Sequence, residues 1–230
     1  MTLPLVLLPG MMCDGRLFAP QIAVLGKRAV QLAPLTDHDT VAALAAGVLA
    51  RAPPRFALAG LSMGGIVAME VLRQAPDRVQ RLALLDTNPR AETPQVQAGR
   101  APQIAKALAG GLDAVMREEM KPNYLAPGTG FSAVLDLCMA MALDLGPQVF
   151  ARQSAALRDR PDQQDTLRRF KGPALVLMGA HDRLCPRERH DLMHALMPHS
   201  RLDIIADAGH LPVLENPDAT NAALLRWLED

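Results

Sequence analysis

Residues 55–76, RFALAGLSMGGIVAMEVLRQAP, restrict the fold of this chain more than any other stretch. The run 55–62 is almost wholly apolar, as suits a strand covered on both faces of a sheet. Residues 64–76 carry apolar side chains at helical spacing and end near Pro76, which predicts a helix. Strand must therefore become helix almost at once. The turn between them is Gly60-Leu61-Ser62-Met63-Gly64, a G-x-S-x-G pattern in its informative strand-turn-helix context. A strained turn of this kind lifts a serine hydroxyl clear of the backbone, and glycines at 60 and 64 avoid clashes where strand and helix nearly touch. The helix starts with free N–H groups aimed back at the turn. The N–H of Met63 is thus a candidate donor to an oxygen that turns negative when Ser62 attacks.

The rest of the chain repeats this alternation. LPLVLLPG (3–10), RAVQLAP (28–34), VQRLALLD (79–86), PALVLMG (173–179) and SRLDIIAD (200–207) read as further strands. FAPQIAVLG (18–26), the Ala-rich segment 37–53, RERHDLMHALMP (187–198) and DATNAALLRWLED (218–230) read as helices. The predicted fold class is α/β: a mostly parallel six-stranded sheet with helices on both faces. Between 88 and 172 no strand-like run occurs; residues 98–127 predict helix, a break at Gly110-Gly111, then helix, followed by helices over 132–146 and 147–159. We divide the chain into a core segment 1–88, a helical cap insertion 89–160 and a second core segment 161–230. Such an insertion belongs over the C-terminal edge of the sheet, beside the ligand crevice. A length of 230 residues suits one domain with a modest insertion.

A serine hydroxyl needs a base, and the base an orienting group. Six histidines are available. His190 and His194 share one helix and read as solvent-face residues; His38 reads as polar surface and His199 as part of a connecting turn. His210 differs: it follows the last strand in ADAGHLPVLENP, where Gly209 permits a tight loop. In the order nucleophile, acid, histidine, the acid belongs after the preceding strand, where LMGAHDRLCP supplies Asp182. Asp207 is the local rival orienter, and His181, adjacent to the acid, the rival base. A second oxyanion donor is expected in LPGMM (8–12): the N–H of Met11, with Met12 as the fallback.

Lys plus Arg and Asp plus Glu are equal at 24 each, which gives no sign of a nucleic-acid surface. Cys13, Cys138 and Cys185 form no CxxC pair and would leave one unpaired, as fits a reducing compartment. The apolar start lacks the basic residues of a secretory signal, and no segment reads as a membrane span, so a cytoplasmic location is expected.

These stretches together resemble the α/β-hydrolase fold family over nearly the whole chain. LLPGMMCDGRLFAPQ (7–21) resembles its oxyanion segment, AGLSMGG its nucleophile elbow, LVLMGAHDRLCP its acid loop and AGHLPVLENP its histidine loop. The chain is similar to small bacterial carboxylesterase-like members, including pimeloyl-carrier-protein methyl esterases and enol-lactone hydrolases. It departs from them in lacking two strands before residue 3, and in carrying LAPLTDHDT (32–40) where a Gly-rich loop is usual. The resemblance implies a serine hydrolase cleaving carboxylic esters through an acyl-enzyme, with Ser62, Asp182 and His210 as catalytic residues and no metal or cofactor. Thioesterase, lactonase, amidase and C–C bond hydrolase chemistry share this triad, and a non-catalytic binding protein is the alternative of another class. The Met-rich cap suggests an uncharged, partly apolar substrate, with Met12, Met116, Met120, Met139 and Leu211 as candidate pocket residues. Arg117 and Lys121 could meet a carboxylate or phosphate, but residues of this kind are more often solvent-facing, and they are read so. The expected partner is a small-molecule ester, with no nucleic acid and no membrane, and the chain a monomer or homodimer.

Overall fold

The computed structural model describes residues 2–128 and 132–229. Six strands, β1 (Leu5–Leu8), β2 (Val30–Leu32), β3 (Phe56–Leu61), β4 (Val79–Leu85), β5 (Ala174–Gly179) and β6 (Arg201–Ile205), form one sheet in the order β2-β1-β3-β4-β5-β6. Every pairing is parallel, so the sheet is more regular than the mostly parallel one predicted. The chain moves outward from β1 to β2 and then crosses back to β3. Strand order therefore reverses between β1 and β3, and a crevice opens beyond their carboxyl ends. Ser62 follows β3 at that point.

Alternation within the strands builds two apolar layers. Val6, Leu8, Leu58, Leu82, Leu84 and Val176 face one way, against α2 (Val41–Arg51), α3 (Met63–Gln74) and, further along the chain, the Arg187–Leu196 helix. Leu5, Leu7, Ala57, Ala59, Leu85 and Leu177 face the other, against Phe18, α1 (Ala19–Val24) and Trp227 of the closing Pro217–Glu229 helix. Both faces are covered, which is why these strands read as unbroken apolar runs. The sequence places the closing helix over 218–230; its last residue, Asp230, lies outside the described residues.

Between β4 and β5 the chain is helical, as predicted. It runs through α4 (Pro94–Lys106), a π-helical turn (Ala107–Gly111), α5 (Leu112–Ala114), a second π-helical turn (Val115–Met120), a 3-10 turn (Lys121–Asn123), α6 (Ser132–Arg158) and α7 (Gln164–Arg169). The expected break falls at Gly110, whose φ is 94°. α6 breaks at Gly146 (φ 79°, ψ 173°), ahead of Pro147, so it is two helices in sequence, divided where the sequence divides them. Its most apolar 18 residues have a mean hydropathy of 1.4, enough by length and composition to cross a bilayer. The break and the burial of Cys138, Met141, Phe150 and Gln153 identify it instead as packed insertion. The remaining helices are α8 (Arg187–Leu196), α9 (Pro212–Glu215) and α10 (Pro217–Glu229).

Candidate active site

Ser62 occupies a left-handed backbone conformation, φ 54° and ψ −114°, rare for a residue with a side chain. Such strain costs on the order of 1–3 kcal/mol and persists only where the surroundings enforce it. Here they do. Ser62 N donates to Leu85 O (2.9 Å), and Ser62 O accepts from Thr87 Oγ1 (2.7 Å), Gly65 N and Ile66 N. A β-carbon at Gly60 would lie 2.3 Å from Gly64 O, and one at Gly64 2.0 Å from Leu8 O. The elbow needs both glycines because α3 starts in contact with β1 and β3.

Two other loops meet Ser62 at the same sheet edge. After β6, His210 is held by its backbone: its N–H donates to Tyr124 O (2.6 Å). Its Nε2 lies 2.9 Å from Ser62 Oγ, and its Nδ1 2.9 Å from Asp182 Oδ2. After β5, Asp182 Oδ1 accepts from Leu184 N (2.8 Å) and Cys185 N (3.0 Å), which fixes the carboxylate plane. Burial pushes the Asp182 pKa up, but His210 beside it and the Cys185 N–H outweigh burial and hold it below the usual carboxylate range. An ionised Asp182 on Nδ1 leaves Nε2 free to accept the Ser62 proton. The rivals lie elsewhere: Asp207 and His181 are both exposed.

Behind Asp182 lies a buried polar cluster that the sequence reading missed. Asp86, at the end of β4, has φ 44° and is fully buried. Its Oδ1 accepts from Gly179 N (2.9 Å); its Oδ2 has no hydrogen-bond partner. Burial, then the neighbouring Asp182 charge, push its pKa well above the usual carboxylate range. The two environments push in opposite directions, favouring the ionised form at Asp182 and the protonated form at Asp86. His190, read from the sequence as solvent-facing, is also fully buried. It shares one face of α8 with Met193, and that face packs inward. Desolvation pushes its pKa down to about 4, so it is neutral at physiological pH. Asp182, Cys185 and His210 can bring ligand atoms within 4.8 Å of one another, as can Asp86, Asp182 and His190. Both sets share Asp182, whose oxygens are committed to three hydrogen bonds, and burial raises the Cys185 thiol pKa and keeps the thiol protonated. Their chemistry is therefore that of a hydrogen-bonded triad and its support.

A cavity of roughly 340 Å³ opens onto Ser62 and His210. Met11, Met63, Met120 and Leu211 stand in its wall, and Tyr124 and Leu157 of the insertion help to close it. Met12, Met116 and Met139 lie instead in the apolar core, each less than a tenth exposed. The Met12 N–H donates to Gln153 Oε1 (2.8 Å), so the fallback donor is occupied. Among the described residues, the N–H groups of Met11 and Met63 have no hydrogen-bond partner. Arg117 is exposed and pairs with Asp113. Lys121, also read as solvent-facing, is buried, and its Nζ donates to Leu135 O.

Residues 5–223 match the sequence pattern described as the alpha/beta hydrolase family. The chain belongs to the alpha/beta hydrolase family. It is 26% identical over 191 residues to the pimeloyl-[acyl-carrier protein] methyl ester esterase of Salmonella agona (strain SL483), covering 81% of this chain and 75% of that one. Among solved structures it superposes on a malate-bound thermophilic esterase from Thermogutta terrifontis with a TM-score of 0.91 at 29% identity, over 100% of this chain and 90% of that one. It also shares the fold of the enol-lactonase from Burkholderia xenovorans LB400, with a TM-score of 0.87 at 24% identity, over 100% and 93% of the two chains.

Two further residues position the site in this alpha/beta hydrolase. Glu215 accepts from Gly209 N and Leu211 N (both 2.9 Å) and from Ala126 N (2.7 Å), and so brackets His210. Gln153 ties Met12 N to Leu35 O (2.9 Å), and so holds the turn after β1. Each is a polar residue in an apolar context, HLPVLENP and FARQSAAL, and that contrast is the signal the sequence carries for them.

Proposed function

We propose that the protein is a serine hydrolase acting on carboxylic esters. The observation that carries the reading is the continuous hydrogen-bonded line from Ser62 Oγ through His210 to Asp182, open to a cavity at Ser62. Names of relatives that are esterases support the ester as the bond cleaved.

In this reading His210 Nε2 takes the Ser62 proton as Oγ attacks the ester carbonyl, and Asp182 stabilises the resulting imidazolium. The Met11 and Met63 N–H groups receive the developing oxyanion; their lack of other partners supports that role. The imidazolium then protonates the leaving alcohol. Water, deprotonated by His210, hydrolyses the acyl-enzyme and regenerates Ser62. The three cysteines are free thiols, which supports residence in a reducing compartment.

The test is labelling by a fluorophosphonate, alongside hydrolysis of p-nitrophenyl esters of short and medium acyl length. Wild type labels and turns over; a folded Ser62→Ala variant does neither. Failure of folded wild type to label would refute the hydrolase reading. A thioester turned over while every oxygen ester stays inert would move the leaving group to sulfur.

A further inference from the structure

One wall of the catalytic cavity has a charge imbalance that the apolar cap does not predict. Arg100, Arg160 and Arg189 line it, with Glu92 as the acid among them. The Glu92 side chain is 2% exposed and is shared: Oε1 accepts from Arg100 Nη2 and from Arg160 Nη1 (2.7 Å), and Oε2 from Arg100 Nε (3.2 Å). Two guanidinium groups on one carboxylate leave a positive charge uncancelled. Arg160 is held in place by Arg90 O (2.9 Å), and its side chain is only 9% exposed. Arg189 adds a third charge: its Nη1 donates to Leu184 O (2.7 Å), and among the described residues no carboxylate pairs with it. Burial lowers the Arg160 pKa, and the neighbouring Arg100 and Arg189 charges lower it further, while Glu92 raises it.

The carboxylates of the neighbouring acid and histidine loops are engaged elsewhere, Asp182 by His210 and Glu215 by three main-chain N–H groups. On the wall itself Arg100 and Arg160 share Glu92, and Arg189 is left as a guanidinium without a carboxylate partner among the described residues. Partly buried cations without partners are costly, and an anionic ligand group removes that cost. Arginine also presents paired donors that match a planar carboxylate. The same cavity is lined by apolar groups, Ile66, Val96, Met120 and Leu157 among them.

We infer that the arginine wall is a carboxylate subsite, and that the ester cleaved at Ser62 carries a second, ionised carboxyl group joined to it by a short apolar chain. This deepens the serine-hydrolase reading and rests on it for the identity of the reacting bond. It replaces the uncharged substrate expected from the cap's methionines. One unpaired guanidinium suits a carboxylate better than a phosphate dianion.

Two pairs of esters test the subsite, with the charge on either arm: p-nitrophenyl hydrogen glutarate against p-nitrophenyl pentanoate, and carboxymethyl butyrate against ethyl butyrate. At least one charged ester is favoured over its neutral counterpart by about tenfold or more in kcat/KM, the factor expected from one charge-assisted contact. Arg189→Gln lowers that ratio about tenfold, and Arg189→Lys restores part of it. Glutarate inhibits competitively where glutaramide does not, and inorganic phosphate is the weaker competitor. Neither charged ester favoured, a ratio unmoved in Arg189→Gln, or phosphate the stronger competitor would each overturn the subsite. If every ester is inert and folded wild type does not label with a fluorophosphonate, but glutarate still raises the Tm of wild type and of Ser62→Ala, the hydrolase reading fails and the subsite stands. If neutral esters are cleaved with no gain from charge, the reverse holds.

Discussion

Glu215→Gln asks whether the histidine loop, beyond the triad side chains themselves, sets the rate. The Glu215 carboxylate accepts three main-chain N–H groups, from Ala126, Gly209 and Leu211, and the last two flank His210. Glutamine keeps the size but turns one acceptor oxygen into a donor. Whichever way the amide faces, at least one N–H then meets an NH₂ group. A hydrogen bond to a charged group is worth about 1.5–3 kcal/mol. Glu215 is half-buried, so the lower end applies, and the loss is about 1.5–2 kcal/mol. For a domain of this size that lowers Tm by about 3–8 °C. The same loss falls on the loop that keeps His210 within reach of Ser62, and each 1.4 kcal/mol there is about a factor of ten. Steady-state hydrolysis of p-nitrophenyl butyrate is expected to show kcat down about tenfold with KM changed by less than about twofold. A variant with a lowered Tm and a kcat within about twofold of wild type would refute the reasoning, because Glu215 would then serve stability alone.

Three other substitutions follow from the same geometry. Asp182→Asn presents an amide donor to His210, favours the wrong imidazole tautomer and lowers kcat by about 10³–10⁴ while leaving the fold intact by circular dichroism. Gly64→Ala forces a β-carbon to 2.0 Å from Leu8 O; it costs more than about 3 kcal/mol and abolishes activity, as read by denaturant unfolding and fluorophosphonate labelling. His190 is buried neutral, with its pKa lowered from 6.5 to about 4, so the unfolded chain binds more protons in that window and stability falls as pH drops through it. The drop from this residue is roughly 3 kcal/mol at 1.36 kcal/mol per pKa unit. In His190→Gln it vanishes, so urea unfolding from pH 7 to pH 4.5 shows a flatter profile than wild type; parallel profiles would sink the assignment.

Much of this molecule is legible in sequence because its constraints are local. A β-strand covered on both faces must be apolar at every position, and LVLL, FALAGL and ALVLMG each say so. The elbow declares itself because only glycine fits where α3 meets β1 and β3. Asp182 and His210 follow from chain order once Ser62 is placed. What remained hidden depends on which distant segments touch. Asp86 sits in LLDTNP as any strand-ending aspartate would, and only the approach of β5 buries it against Asp182. His190 lies on a helix whose exposed and buried sides the sequence pattern did not separate. The arginine wall joins three points far apart in the chain, and the sharing of Glu92 by two guanidiniums beside an unpaired Arg189 exists only where they meet.

The same distinction bears on what the insertion does. A cap that merely covered a finished site could be removed without disturbing the triad. Here the insertion is part of the site's frame. Tyr124 O accepts the His210 N–H, and Ala126 N joins Gly209 and Leu211 on Glu215, so the 124–126 segment and the histidine loop are one hydrogen-bonded unit. On the other side, Gln153 of α6 holds both Met12 and Leu35, the turns after β1 and β2. The histidine loop and the turn carrying the proposed Met11 donor are therefore each positioned by residues between β4 and β5. Sequence change in the insertion alters not only what fits above Ser62 but the alignment of the groups that act on it, which couples substrate choice to rate in this fold.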